Sequence, residues 1–264
     1  MSVSHRILLI SDLHCGSGMS IAHPQARINA EGATLGLNKI QQYTLWPLWK
    51  KMCETKEPYD LIVVNGDLVD GKQSKSGHMG LWTADMDCQA ECAAKLLDMI
   101  PLKKGGEVHI IKGTDYHRGN NLCADSKVVD KFNRLQRNRD KNAVDQGLEY
   151  VLKIDDCTFH IAHTIGGGQY LGTALNKEVM FRHLYHYEFT GMIRGHRHNY
   201  HFDSDGDCFG LLLPCWKGRD DYEKKHGLKW ISMVGWVEMV VDGKTWDVTP
   251  HLTKLEGMMK EVEL

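Results

Sequence analysis

Two aspartates and four histidines stand on four short segments of this 264-residue sequence. They are Asp12 and His14 in Ser-Asp-Leu-His, Asp67 in Asn-Gly-Asp-Leu, His163 in Ala-His-Thr, and His196 and His198 in Gly-His-Arg-His. Carboxylates and imidazoles without cysteine are a ligand set for hard or borderline divalent cations. Six such side chains suffice for two cations, and a close pair of cations is a device for hydrolysis. The pair lowers the pKa of a shared water and clamps the oxygens of the bond to be broken. Any one of these histidines alone reads more simply as a hydrogen-bonded structural residue. The ordered set argues for a dinuclear centre.

Such a set needs rigid supports, and each segment follows a run of β-type residues, at 7–10, 61–64, 159–162 and 192–194. Strand ends that empty into Asp and His are where an α/β protein builds a site, because the sheet fixes the backbone while the loops face solvent. Early in the chain, strands expected at 6–11, 59–64 and 108–112 alternate with helices at 35–54, bent near Pro47, and 83–100, stopped by Pro101. A charged helix over 123–141 precedes strands at 148–154 and 157–162, and another helix spans 174–186. The last third is rich in strands, at 193–195, 200–203, 209–213, 232–241 and 244–249, with Asp242-Gly243 as a hairpin signal. In Gly195–His198, alternate residues of an extended segment would aim both imidazoles the same way. There is no repeat and no low-complexity linker, so one domain over residues 1–264 is expected.

In this order the motifs resemble the signature of the calcineurin-like metallophosphoesterases: Asp12-Leu13-His14, Gly66-Asp67, His163 and Gly195-His196-Arg197-His198. The resemblance implies an α/β fold, a four-layer α/β/β/α sandwich with two facing mixed sheets and the metal site at strand ends. It implies hydrolysis of a phosphomonoester or phosphodiester by a hydroxide bridging two divalent ions, with manganese favoured and iron, zinc or nickel acceptable to the same ligands. Asp67 would bridge, which suits a carboxylate with its two oxygens. Asp12, His14 and His198 would complete one metal, while His163 and His196 would hold the other. One block departs: where the family has Gly-Asn-His, this chain reads Gly113-Thr114-Asp115-Tyr116-His117. The family's Asn gives an oxygen to the second metal, and its His faces substrate as a proton donor. Thr114 or Asp115 is left to supply the oxygen, and His117 is the proton donor, the favoured role, a ligand, or neither.

Beyond these residues, Trp216 and Arg219, with Lys217 and Tyr222, suggest a rim that stacks on a ring and meets phosphate, although a strand end with solvated charges explains them as simply. A net charge of −2 lacks the electrostatic footprint of a dedicated nucleic-acid binder. A small or nucleotide-like phosphoester is therefore expected as the partner, ahead of DNA; a nuclease, a protein phosphatase and a non-catalytic binding module are the competing readings. No apolar run is long enough to span a bilayer. The N-terminus runs directly into the first strand without the pattern of a secretory signal, and eight scattered cysteines fit a reduced, cytoplasmic protein. Oligomeric state leaves no trace in the sequence.

Overall fold

A computed structural model of the chain describes residues 4–74, 77–118, 124–136, 141–167, 172–185, 188–219 and 232–255. The first sheet has the strand order β11-β10-β1-β2-β3-β4. Its strands are β1 (His5–Ile10), β2 (Tyr59–Asn65), β3 (Leu102–Ile111), β4 (Asn142–Asp145), β10 (Met233–Asp242) and β11 (Thr245–Lys254). The strands from β1 to β4 run parallel, and β10 and β11 join antiparallel at the edge of β1. The second sheet, in the order β5-β6-β7-β9-β8, contains β5 (Glu149–Ile154), β6 (Cys157–Ala162), β7 (Gly191–Arg194), β8 (His201–Ser204) and β9 (Phe209–Leu212). Here β6, β7 and β9 are mutually parallel.

Both faces of the first sheet are apolar, because its strands carry hydrophobic residues at odd and even positions alike. Ile7, Leu9, Val63, Ile111, Val237 and Met239 point at Phe159, Ile161, Ile193, Phe209 and Leu211 of the second sheet. Leu8, Ile10, Ile62, Val64, Val108 and Ile110 point the other way, against helices α1 (Trp46–Cys53), α2 (Met86–Asp98) and α4 (Ala124–Leu135). On the far side of the second sheet, Met192 packs with Val179 of α5 (Thr173–Met180). The layers are therefore helix, sheet, sheet, helix. Full burial of each such aliphatic side chain contributes roughly 1.5–3 kcal/mol, so the two facing cores fix the spacing of the sheets.

The outcome differs from the sequence expectation in a few places. The helix expected over 35–54 is shorter, a π-helical turn at Gln41–Leu45 followed by α1. Pro47 lies in the first turn of α1, where its missing N–H leaves no gap in the ladder. The charged helix stops at Leu135, and the chain then returns as β4, a parallel edge strand too short and polar to announce itself. The last hairpin turns on Gly243-Lys244, one residue later than expected, since Asp242 pairs with Thr245 and Gly243 takes a φ of 60°. A four-residue helix, α3 (Asp115–Arg118), follows β3.

Trp216 is wholly buried, with its ring 4.7 Å from Trp49 and stacked over Trp236. The backbone around it is tied to the end of β1, with Trp216 N–H donating to the Asp12 carbonyl at 3.0 Å. A substrate rim built on this ring is thereby ruled out, since the indole spends its surface on the helix-side core. Trp216→Ala should cost about 3–5 kcal/mol of stability, as for other large-to-small core changes. Denaturant titration checks this, and a loss below about 1 kcal/mol would mean that the indole is not packed as described.

Candidate metal centre

The parallel strands of both sheets deliver the six residues from their C-terminal ends: β1 leads to Asp12 and His14, β2 to Asp67, β6 to His163, and β7 to His196 and His198. The loops after β1 and β2 are joined by hydrogen bonds from Asp12 N to Gly66 O at 3.1 Å, His14 N to Asp67 O at 2.9 Å and Asp70 N to Cys15 O at 2.9 Å. Across the sheets, Asn65 Nδ2 donates to Ala162 O at 3.0 Å and His196 N donates to Asp12 Oδ2 at 3.1 Å. Five of the six residues have left-handed backbone: Asp12 (φ 55°), His14 (47°), Asp67 (49°), His196 (69°) and His198 (53°). That conformation costs an L-residue roughly 1–2 kcal/mol, and strain of this kind gathers where a site needs a fixed side-chain direction. The turn at Gly195–His198 is therefore bent rather than extended, and its two imidazoles go to different partners.

Two of the three clusters among the described residues take up these six side chains, Asp12 with His14 and His198, and Asp67 with His163 and His196. In the first, His14 Nε2 lies 3.0 Å from His198 Nε2, and Asp12 Oδ1 is 3.3 Å from His198 and 3.6 Å from His14. Two imidazole nitrogens this close need a proton or a cation between them. In the second, His163 Nε2 lies 3.0 Å from Asp67 Oδ2 and 3.9 Å from Asp12 Oδ1, which links the clusters. Two atoms at the centre are buried without a hydrogen bond, Asp12 Oδ1 and His163 Nε2. Buried polar atoms are costly without a partner, and these two face the same space. The donor set fits a pair of divalent cations.

Outer contacts fix which nitrogen is offered. His14 Nδ1 meets Asp70 Oδ1 at 2.9 Å, and His163 Nδ1 donates to the Asn65 carbonyl at 2.6 Å, so each ring keeps Nε2 for the centre. The single Ser11 hydroxyl proton is shared between Asp12 Oδ2 and the Asn65 carbonyl, leaving Asp12 Oδ1 to face inward. Buried Lys217 stands 3.6 Å from the same Asp70 oxygen.

Burial alone would raise the Asp12 pKa, but the charge on His163 and the nearness of His14 and His198 outweigh it and hold the carboxyl well below its usual range. The same contest, won chiefly by the charge on His163, keeps Asp67 ionised. Burial pulls His163 down, yet Asp67 and Asp12 lift it to about 10. Without metal, that imidazole therefore carries a proton where a cation would otherwise sit.

The turn that departs from the family pattern reaches the site by another route. Thr114 donates to Asp67 Oδ1 from its backbone N–H at 2.7 Å and from its hydroxyl at 3.1 Å. Gly113 is obligatory, since a Cβ there would stand 2.0 Å from Asp67 Oδ1. His117 Nε2 lies 3.9 Å from Asp67 Oδ2, its ring is edge-on to His14 at 4.5 Å, and its Nδ1 donates to the Asp70 carbonyl at 2.8 Å. His117 also forms a cluster with His14 and Asp67. Burial pushes its pKa down to about 4, so the ring is neutral at pH 7. Asp115, exposed at the start of α3, enters none of the clusters among the described residues, so the structure does not bring it to the centre as a replacement oxygen. Arg219 is half-buried at the end of a described stretch, and Tyr222, the other half of the expected rim, lies outside the described residues.

Three supporting residues escaped the sequence reading. Asp70 carried a signal, three positions after Asp67 in the same loop. Asn65 appeared only as the residue before Gly66. Asp125 gave none: it sits in the charged stretch that forms α4, yet it is buried and accepts from Gly113 N at 2.8 Å. Burial, its largest influence, raises its pKa to about 6.

Residues 5–113 match the family model of the calcineurin-like phosphoesterases. The matched stretch contains Asp12, His14, Asp67 and the Gly113 turn, while His163, His196 and His198 lie beyond it and are joined to it by geometry. No curated protein matches the chain in sequence. Among solved structures, the chain resembles Vps29 from Entamoeba histolytica complexed with zinc, at 14% identity and a TM-score of 0.45, covering 94% of this chain and 98% of that one. It also resembles an archaeal phosphodiesterase, at 13% identity and a TM-score of 0.44, covering 93% and 99%. At such scores neither likeness carries an argument about this chain.

If the clusters are two cation sites, elemental analysis after reconstitution with manganese should find about two metals per chain. Asp67→Asn should weaken both sites, whereas His198→Ala should chiefly weaken one. Because the proton on His163 must leave, affinity should rise with pH between 6 and 9, by about tenfold per unit if one proton is released. A folded wild type that takes up neither manganese nor zinc would contradict the assignment.

Proposed function

We propose that the protein is a dinuclear metal-dependent phosphoesterase acting on a small or nucleotide-like phosphomonoester or phosphodiester. The observation that carries this reading is the pair of adjoining clusters, with the buried atoms Asp12 Oδ1 and His163 Nε2 between them and lacking hydrogen bonds. A pair of divalent ions bound there would supply an activated water and charge neutralisation at phosphorus. Asp12, His14 and His198 would hold one ion, His163 and His196 the other, with Asp67 shared. Manganese is the metal we propose, from a set in which iron, zinc and nickel suit the same ligands. The seven described cysteines are all free thiols, which supports a reducing, cytoplasmic setting. No helix among the described residues is long and apolar enough to cross a membrane.

The remaining residues divide the work of holding and moving protons. Asp70 keeps the His14 proton on Nδ1, the Asn65 carbonyl does the same for His163, and Thr114 fixes the rotation of the Asp67 carboxylate. We assign His117 to the leaving group, as the proton donor. It must gain a proton on Nε2 for this, and a phosphoester brings the negative charge that raises its pKa. The neutral ring, with Nδ1 already engaged, favours a second reading in which His117 is a ligand.

With manganese, the purified protein should hydrolyse small aryl or alkyl phosphoesters, with only mild dependence on salt. Hydrolysis confined to DNA, falling steeply from low to moderate salt, would replace this reading with a nuclease. A general acid matters most when the leaving group is poor. His117→Ala should therefore cost about 10²–10⁴-fold with an alkyl ester and much less with a nitrophenyl ester, while metal content stays near wild type. Equal losses on both esters, together with loss of metal, would make His117 a ligand.

A further inference from the structure

Tyr116 is 43% exposed at the edge of the centre, and both ends of its side chain are secured. Its ring stands edge-on to His117, with centroids 5.2 Å apart and planes at 87°. Its hydroxyl donates to Gln73 Oε1 at 2.7 Å. Gln73 in turn donates from Nε2 to the Asp70 carbonyl at 3.0 Å, the same oxygen that receives His117 Nδ1–H. Gln73 does this from a left-handed backbone with φ 51°, which is a cost for a non-glycine residue. Close by, a Cβ on Gly71 would come within 2.7 Å of the His117 carbonyl, so the loop after β2 lies directly on α3.

A single exposed tyrosine on a surface needs no explanation. This one is immobilised by a network that ends on the loop of the site itself. A ring fixed before binding loses little rotamer freedom when a second ring stacks on it. Trp216, the aromatic residue that the sequence suggested for this role, is consumed by the core. Tyr116 adjoins His117, which we have placed beside the leaving group.

We propose that Tyr116 is the aromatic platform of this site, selecting phosphoesters that carry an aryl ring or nucleobase within reach of the phosphoryl group. The proposal rests on the phosphoesterase reading for its kinetic test, and a binding test stands apart from it. In the manganese-loaded full chain, kcat/KM should be higher for phenyl than for alkyl phosphoesters. Tyr116→Leu should lower the phenyl-to-alkyl ratio by about 5- to 100-fold, the range expected for losing one stacked base. Tyr116→Phe, which keeps the ring, should hold the ratio within a few-fold. Calorimetry on the same proteins should show adenosine 5′-monophosphate binding more tightly than inorganic phosphate, and Tyr116→Leu should remove most of that difference. An unchanged ratio in Tyr116→Leu, or an equal fall in Tyr116→Phe, overturns the platform. If neither ester is hydrolysed, the phosphoesterase reading fails and calorimetry decides the platform alone. Equal binding of nucleotide and phosphate by the wild type overturns it.

Discussion

Two carboxylates and four imidazoles converge on one space in this protein, buried at Asp12, His14, Asp67 and His163 and open at His196, and the rest of the structure is arranged to keep them there. Desolvation opposes every ionised member of the group, and mutual attraction answers it: Asp12 and Asp67 stay ionised because protonated His163 stands between them. The balance is local and depends on distances of 3–4 Å, beyond the reach of flexible loops. Five left-handed residues record the cost, roughly 1–2 kcal/mol each. The two apolar layers on either side of the first sheet supply the rigidity that sustains it.

Asp67 is where the two sheets and the irregular turn meet. It faces His163 from the second sheet, and Thr114 grips its carboxylate from the loop after β3. Gly113 permits that grip because no side chain fits between it and Asp67, and Asp125 holds Gly113 from below. Where the resemblance leads one to expect Asn, this chain places the Thr114 hydroxyl on the Asp67 carboxylate.

Much of this was legible in the sequence, for identifiable reasons. Strand ends and Asp/His pairs are local features, and the order of the motifs fixed which loops had to converge. The resemblance gave Asp12, His14 and His198 to one metal, His163 and His196 to the other, and Asp67 to both; the structure groups Asp12 with His14 and His198, and Asp67 both with His163 and His196 and with His14 and His117. What stayed hidden depends on tertiary packing. Trp216 read as a rim because an aromatic beside Lys and Arg after a strand looks the same whether it faces solvent or Trp49. Asp125 was lost among helix charges, since nothing in a charged run says which member turns inward. Strand β4 was missed because edge strands need no apolar pattern. Tyr116 escaped notice because its place depends on Gln73, more than forty positions away.

The central claim is that these clusters hold two cations on either side of Asp67. Anomalous diffraction from crystals grown with manganese tests it most directly. The account predicts two peaks about 3.5–4 Å apart, one touching Asp12, His14 and His198, the other touching His163 and His196, with the Asp67 carboxylate between them. A single peak, or peaks that leave Asp67 without a metal contact, would contradict it.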